Sequence, residues 1–155
     1  AGPRHPVARG PARRGPRRVS LPRALLLDSS FLVAYEHELS PRLAQAVVVN
    51  AITTGRLLIV PAVSLVVAGA ELGGRHPDLS WVLNDPTGPV QVLALSATNA
   101  LETGEQAARA GSLDLVALEV AQIVVEAAGS PTAVMTYEPK RYVGCSVQVM
   151  DMQPR

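Results

Sequence analysis

Short apolar runs and helix-type repeats alternate along this chain from residue 24 onward. Ala24-Leu25-Leu26-Leu27 is stopped by Asp28, which predicts a first strand over 24–28. Runs of this length bounded by turn residues suit buried strands, whereas helices need longer periodic stretches. A short helix is expected over 30–38. Ser40-Pro41 then reads as an N-cap followed by Pro at the first helical position, opening a helix over 42–54 that Gly55 closes. A second strand over 57–60 stops at Pro61, and a helix over 62–72 ends at Gly73-Gly74. Residues 75–89 hold Pro77, Pro86 and Pro89 and are the least regular, with one helical turn expected over 78–83. A third strand is expected over 90–95. Ser96 or Thr98 opens a helix to Ala110, closed by Gly111. Ser112 is expected to cap a helix over 113–128, closed by Gly129. Strands over 133–137 and 146–150 complete the set. Strands separated by helical segments predict an α/β domain: a three-layer α/β/α arrangement around a mainly parallel five-stranded sheet.

Composition and charge narrow the class. With 155 residues the chain is one domain by size, and with only 3% aromatic residues its core must be aliphatic. No apolar run approaches the roughly 20 residues that span a bilayer, and no signal-peptide pattern follows the basic N-terminus. The single cysteine, Cys145, cannot form an internal disulfide, which fits a reducing cytoplasm. Residues 1–23 hold seven arginines and no acid, with Pro and Gly between them and no hydrophobic period. This arm is expected to be disordered. It reads as an RNA-gripping tail, as a solvated tail, or as sequence upstream of the true start. Residues 24–155 carry seven basic and 13 acidic residues, a net charge of −6. That field repels RNA at long range, so a local basic patch, a metal ion or the arm must offset it.

Three carboxylates invite chemistry. Asp28 ends the first strand at the edge where open α/β sheets bind ligands. A partly buried acid there needs a partner or a metal. Glu138 follows the fourth strand in Thr136-Tyr137-Glu138-Pro139. Asp114 lies at the start of the helix after Ser112. In that helix Glu119, Gln122 and Glu126 form a polar stripe, and Asp114 falls about 140° away, on the side of Leu118, Ala121 and Val125. Clustered carboxylates repel unless a cation sits between them, and an all-oxygen set suits Mg²⁺ or Mn²⁺. Such a site could activate water against a phosphodiester. Lys140 and Arg141 follow Glu138 directly and are candidate phosphate contacts.

The ordered set of segments resembles the PIN-domain family, small α/β proteins that include metal-dependent ribonucleases and the toxins of VapBC-type toxin–antitoxin pairs. Leu25-Leu26-Leu27-Asp28-Ser29-Ser30 is similar to the family's opening strand, Asp and hydroxyl residues. Leu58-Ile59-Val60-Pro61 is similar to its second strand, Gly111-Ser112-Leu113-Asp114 to its third block, and Thr136-Tyr137-Glu138-Pro139 to its closing turn. The resemblance spans about residues 24–151 and makes 24–155 a PIN-like domain. It implies an RNA-cleaving enzyme with Asp28, Asp114 and Glu138 as catalytic metal ligands, supported by Ser30 and Thr136. It also implies a homodimer and a small antitoxin partner. Glu138 stands where the family usually has Asp. The family's second acid falls at Val67, which cannot bind a metal, and Glu71, one turn on, is the candidate substitute. The alternative reading is a PIN-fold RNA-binding or regulatory protein with impaired catalysis.

Other classes fit less well. A phosphatase using Asp28 as nucleophile needs an Asp where Ser30 stands. A dinucleotide fold needs a glycine-rich turn after the first strand. His5, His37 and His76 lack zinc-ligand spacing.

Overall fold

A computed structural model describes Gly2, residues 22–37 and residues 42–154. The Ser40-Pro41 helix start, nearly all of the 1–23 arm and His5 lie outside the described residues. The strands are β1 (Ala24–Leu27), β2 (Leu57–Pro61), β3 (Val90–Leu93), β4 (Thr132–Thr136) and β5 (Gln148–Asp151). They form one sheet in the order β3-β2-β1-β4-β5, and every neighbouring pair is parallel. Parallel neighbours need long crossovers, and most of the crossovers here are helical: α1 (Ser29–His37), α2 (Leu43–Thr54), α3 (Ala62–Glu71), α4 (Pro77–Leu83), α5 (Ala97–Ala110) and α6 (Leu115–Glu126). A short 3₁₀ turn, Pro139–Tyr142, leads toward β5.

The inner strands β2, β1 and β4 are mostly buried and largely apolar because helices cover both faces of the sheet there, whereas the edge strands β3 and β5 carry Gln91, Gln148 and Asp151 and are mostly exposed. Leu25, Leu27, Leu58, Val60, Ala133 and Met135 point to one side, against Phe31, Leu32, Val48 and Ala68 of α1 to α3. Leu26 and Val134 point to the other, against Ala117 and Val120 of α6 and Tyr142. This is the predicted α/β/α sandwich, with the sheet parallel throughout. Arg23 starts the described body by donating its N–H to the Pro131 carbonyl at 2.8 Å. Among the described residues no helix is long and apolar enough to cross a membrane.

Several boundaries shift for local reasons. β1 ends at Leu27 because the Asp28 carboxylate turns to accept the Phe31 N–H at 3.1 Å, which starts α1. α6 begins at Leu115, with Asp114 as its cap in place of the expected Ser112. Asp114 Oδ1 accepts the Ala117 N–H at 3.1 Å, while Ser112 Oγ accepts the Asp114 N–H at 3.2 Å. α5 starts as expected, with the Ser96 side chain accepting from the Asn99 N–H. α2 and α5 end at Gly55 and Gly111, whose φ values of 64° and 62° are left-handed and favour glycine.

The orientation of α6 reverses the expectation. Glu119 and Gln122, read as a solvent-facing stripe, are buried, while Val125 is 72% exposed. Two neighbours cause this: the start of α3 takes Glu119, whose Oε2 accepts the Val63 N–H, and α5 packs its own polar side against Gln122. Thr103 Oγ1 donates to Gln122 Oε1 at 2.7 Å, and Gln122 Nε2 donates to Glu102 Oε2 at 3.0 Å. A polar stripe can be buried where its hydrogen bonds are met.

The strand order sets the place of the site. The chain runs outward from β1 through β2 to β3, then returns to place β4 on the other side of β1. The gap beyond the C-terminal ends of β1 and β4 is therefore the topological switch point, where ligands of such sheets bind. Asp28 follows β1, and Thr136 closes β4.

Candidate acidic site

At the switch point Asp28 is fully buried. Its Oδ1 accepts the Ser30 hydroxyl at 2.7 Å and the Phe31 N–H at 3.1 Å, and its Oδ2 accepts the Tyr142 hydroxyl at 3.0 Å. A hydroxyl carries one proton, and Ser30 gives its own to Asp28. In the 3.1 Å contact between Ser30 Oγ and Thr136 Oγ1, Thr136 is therefore the donor. Ser30 Oγ also accepts the Tyr137 N–H, and Thr136 Oγ1 accepts the Glu138 N–H, both at 2.9 Å. The two hydroxyls predicted to support the acids thus stitch the end of β1 to the turn after β4. Burial, and then the neighbouring Asp28 charge, push the Tyr142 hydroxyl far above the ordinary tyrosine range, so it stays protonated and donates.

Asp114 approaches from the start of α6 and Glu138 from the turn after β4. Both carboxylates, with Asp28, converge on the guanidinium of Arg141. Arg141 Nε lies 3.1 Å from Asp114 Oδ2, Nη2 lies 2.8 Å from Glu138 Oε2, and Nη1 lies 4.0 Å from Asp28 Oδ2. Nη1 also donates to Ser29 Oγ at 2.8 Å. The guanidinium offsets one of three negative charges. Burial falls off outward: the side chain of Asp28 is fully buried, that of Asp114 is 35% exposed and that of Glu138 is 53% exposed.

The three acids chosen from the sequence are therefore brought to one place, and the cation between them is an arginine of the same chain. Among the described residues no group of three or more His, Cys, Asp or Glu side chains is arranged as an ion site. The all-oxygen donor set suits a hard divalent cation, but the guanidinium stands where the carboxylates meet. Arg141 was expected to face a phosphate, yet here its side chain faces inward. Lys140, its neighbour, is exposed.

Beside the acids runs an apolar groove of about 700 Å³. Ala62, Val63, Val66 and Val67 of α3 line it together with Leu113, Leu115 and Val116, and Asp114 and Arg141 line it too. Val67, where the resemblance puts a further acid, thus borders the site with an apolar side chain. Glu71 is exposed at the last residue of α3 and does not line the groove.

Sequence reasoning missed Tyr142 and Ser29 as partners of the cluster, and placed Glu119 in an outward polar stripe rather than at the start of α3. Tyr142 lies 114 residues from Asp28, and a lone tyrosine beside an arginine carries no local signal of a buried contact. Glu119 is 3% exposed and reaches the first turn of α3, where the Val63 N–H donates to its Oε2 at 2.8 Å. Burial raises its pKa above the ordinary glutamate value, and the backbone N–H groups of Val63, Ala62 and Ser64 partly oppose that rise. Pro61 at the α3 N-cap provides no side-chain cap, so Glu119 supplies it from another helix. Neither a scan against protein-family models nor a search of curated proteins returns a match to this sequence.

Proposed function

We propose that this chain is a PIN-like ribonuclease that hydrolyses RNA phosphodiester bonds with Mg²⁺ or Mn²⁺. The observation that supports it is the convergence of Asp28, Asp114 and Glu138, from three separate parts of the chain, at the switch point of an all-parallel sheet. Asp28, Asp114 and Glu138 would hold the ion, with Ser30 and Thr136 orienting Asp28 and the Glu138 turn. A divalent ion supplies Lewis acidity and a more acidic water at neutral pH. Lys140 is free to meet a backbone phosphate at the rim, an interaction that weakens as salt rises. The resemblance that motivates this reading extends it to the toxin of a toxin–antitoxin pair, a cytoplasmic homodimer held in check by a small antitoxin.

A second reading is favoured by Val67 and Arg141. With an apolar residue at the expected second-acid position and an internal cation among the remaining acids, the fold could serve RNA binding or regulation without turnover.

Melting curves and cleavage of a fluorogenic single-stranded RNA separate the two. On the first reading Mn²⁺ raises the melting temperature and supports cleavage, and Asp28→Asn abolishes both. No metal effect and no cleavage at millimolar Mn²⁺ would count strongly for the second. Val67→Glu is expected to increase cleavage if the site is depleted by one ligand. Unchanged cleavage in that variant would remove Val67 from the site.

A further inference from the structure

The acid cluster has few carboxylate oxygens to offer an incoming ion. Asp28 Oδ1 is held by Ser30 and the Phe31 N–H, and Asp114 Oδ1 by the Ala117 N–H. Both bonds start helices, so neither carboxylate can turn without uncapping one. The oxygens that face the centre are Asp28 Oδ2, which also accepts the Tyr142 hydroxyl, Asp114 Oδ2 and Glu138 Oε2, the same three that face Arg141. Arg141 itself stands on a 3₁₀ turn of four residues, is 16% exposed and lines the groove. Besides the acids it is held by the Ser29 hydroxyl, which accepts from its Nη1 at 2.8 Å, and the groove it lines is the open space beside it.

We propose that Arg141 is a built-in latch: it and a divalent cation compete for the same three carboxylate oxygens, and ion entry expels the guanidinium toward the groove. Without an ion, Arg141 relieves the repulsion among the acids and keeps the site shut. With an ion bound, the freed guanidinium faces the groove, where it can fork onto an anionic phosphate. Binding of the ion is weakened by the work of displacing Arg141, as for any ligand whose receptive state is a minority. The latch rests on the metal-dependent reading of the site, and it predicts a measurable quantity independent of cleavage.

The test is titration of Mn²⁺ alone into the full chain, followed by calorimetry and by the spin-resonance signal of free Mn²⁺. Arg141→Gln removes the competing charge and is expected to bind Mn²⁺ about tenfold more tightly than wild type, a common size for coupling between two ligands. Added ethylguanidinium should weaken Mn²⁺ binding in Arg141→Gln and leave wild type unaffected. Arg141→Lys, which keeps one charge but cannot fork between two carboxylates, is expected to fall between them and serves if the Gln variant does not fold. Equal or weaker Mn²⁺ binding in Arg141→Gln overturns the latch. In that case binding that is still lost in Asp28→Asn leaves the metal-dependent reading standing. No Mn²⁺ binding by any of the proteins overturns both.

Discussion

Two buried acids in this molecule meet their charge in different ways. Asp28 is compensated by hydroxyls, one backbone N–H and a nearby guanidinium. Among the described residues Glu119 is met by the N–H groups at the start of α3. A helix terminus is part of the backbone and cannot leave, so Glu119 ties α6 to α3 permanently. A guanidinium on a flexible stem can withdraw and return. Burial alone therefore does not distinguish a structural acid from an exchangeable one; the mobility of the countercharge does.

The strongest way to break this contrast is Asp28→Ala. It leaves the Tyr142 hydroxyl, the Phe31 N–H and part of the Arg141 charge without an acceptor. The expected loss is about 3–5 kcal/mol, the usual cost of removing one side of a buried charged contact, read from urea unfolding. A loss below about 1 kcal/mol would place Asp28 among ordinary surface acids.

Glu119→Gln sharpens the other side. An acid with a raised pKa holds its proton in the folded state after the unfolded chain has released it. Wild type therefore loses stability as pH rises from the ordinary glutamate range, near 4.5, toward the raised value. A glutamine does not titrate and can still accept the Val63 N–H. The variant is expected to gain on wild type with rising pH, by up to about 1 kcal/mol near neutrality. Stability curves at several pH values check this, and a difference that ignores pH would remove burial as the governing influence on Glu119.

The smallest effect is expected at Glu138. Its 2.8 Å contact with Arg141 lies at the exposed rim, so Glu138→Gln should cost no more than about 1 kcal/mol, and the cost should shrink as salt rises. A larger, salt-insensitive loss would mean that Glu138 belongs with Asp28 in the buried centre.

The sheet was legible because its strands are short apolar runs between turn residues. Asp28 and Glu138 were legible because they follow strand ends, where local direction is set by the strand, whereas Ser30 and Thr136 were picked out only by the family resemblance. Asp114 was legible as an acid at a helix start, but its capping role was assigned to Ser112, two residues too early. The face of α6 was not legible. A helical repeat separates two faces without saying which one meets a neighbour. Polar partners on α5, Thr103 and Glu102, hold Gln122 inward, and the N–H groups at the start of α3 hold Glu119. The role of Arg141 was hidden as well, since its three carboxylates come from the start of α1, the start of α6 and the turn before it.

By itself, then, the sequence determined the alternation of strands and helices, the α/β class and the acids at the sheet edge, because each follows from periodicity or from a local cap. Only the tertiary structure decided what neutralises those acids, which face of α6 is buried and what borders the site at Val67. Those depend on side chains brought together over as many as 114 residues of chain, at distances of a few ångströms that no local pattern encodes.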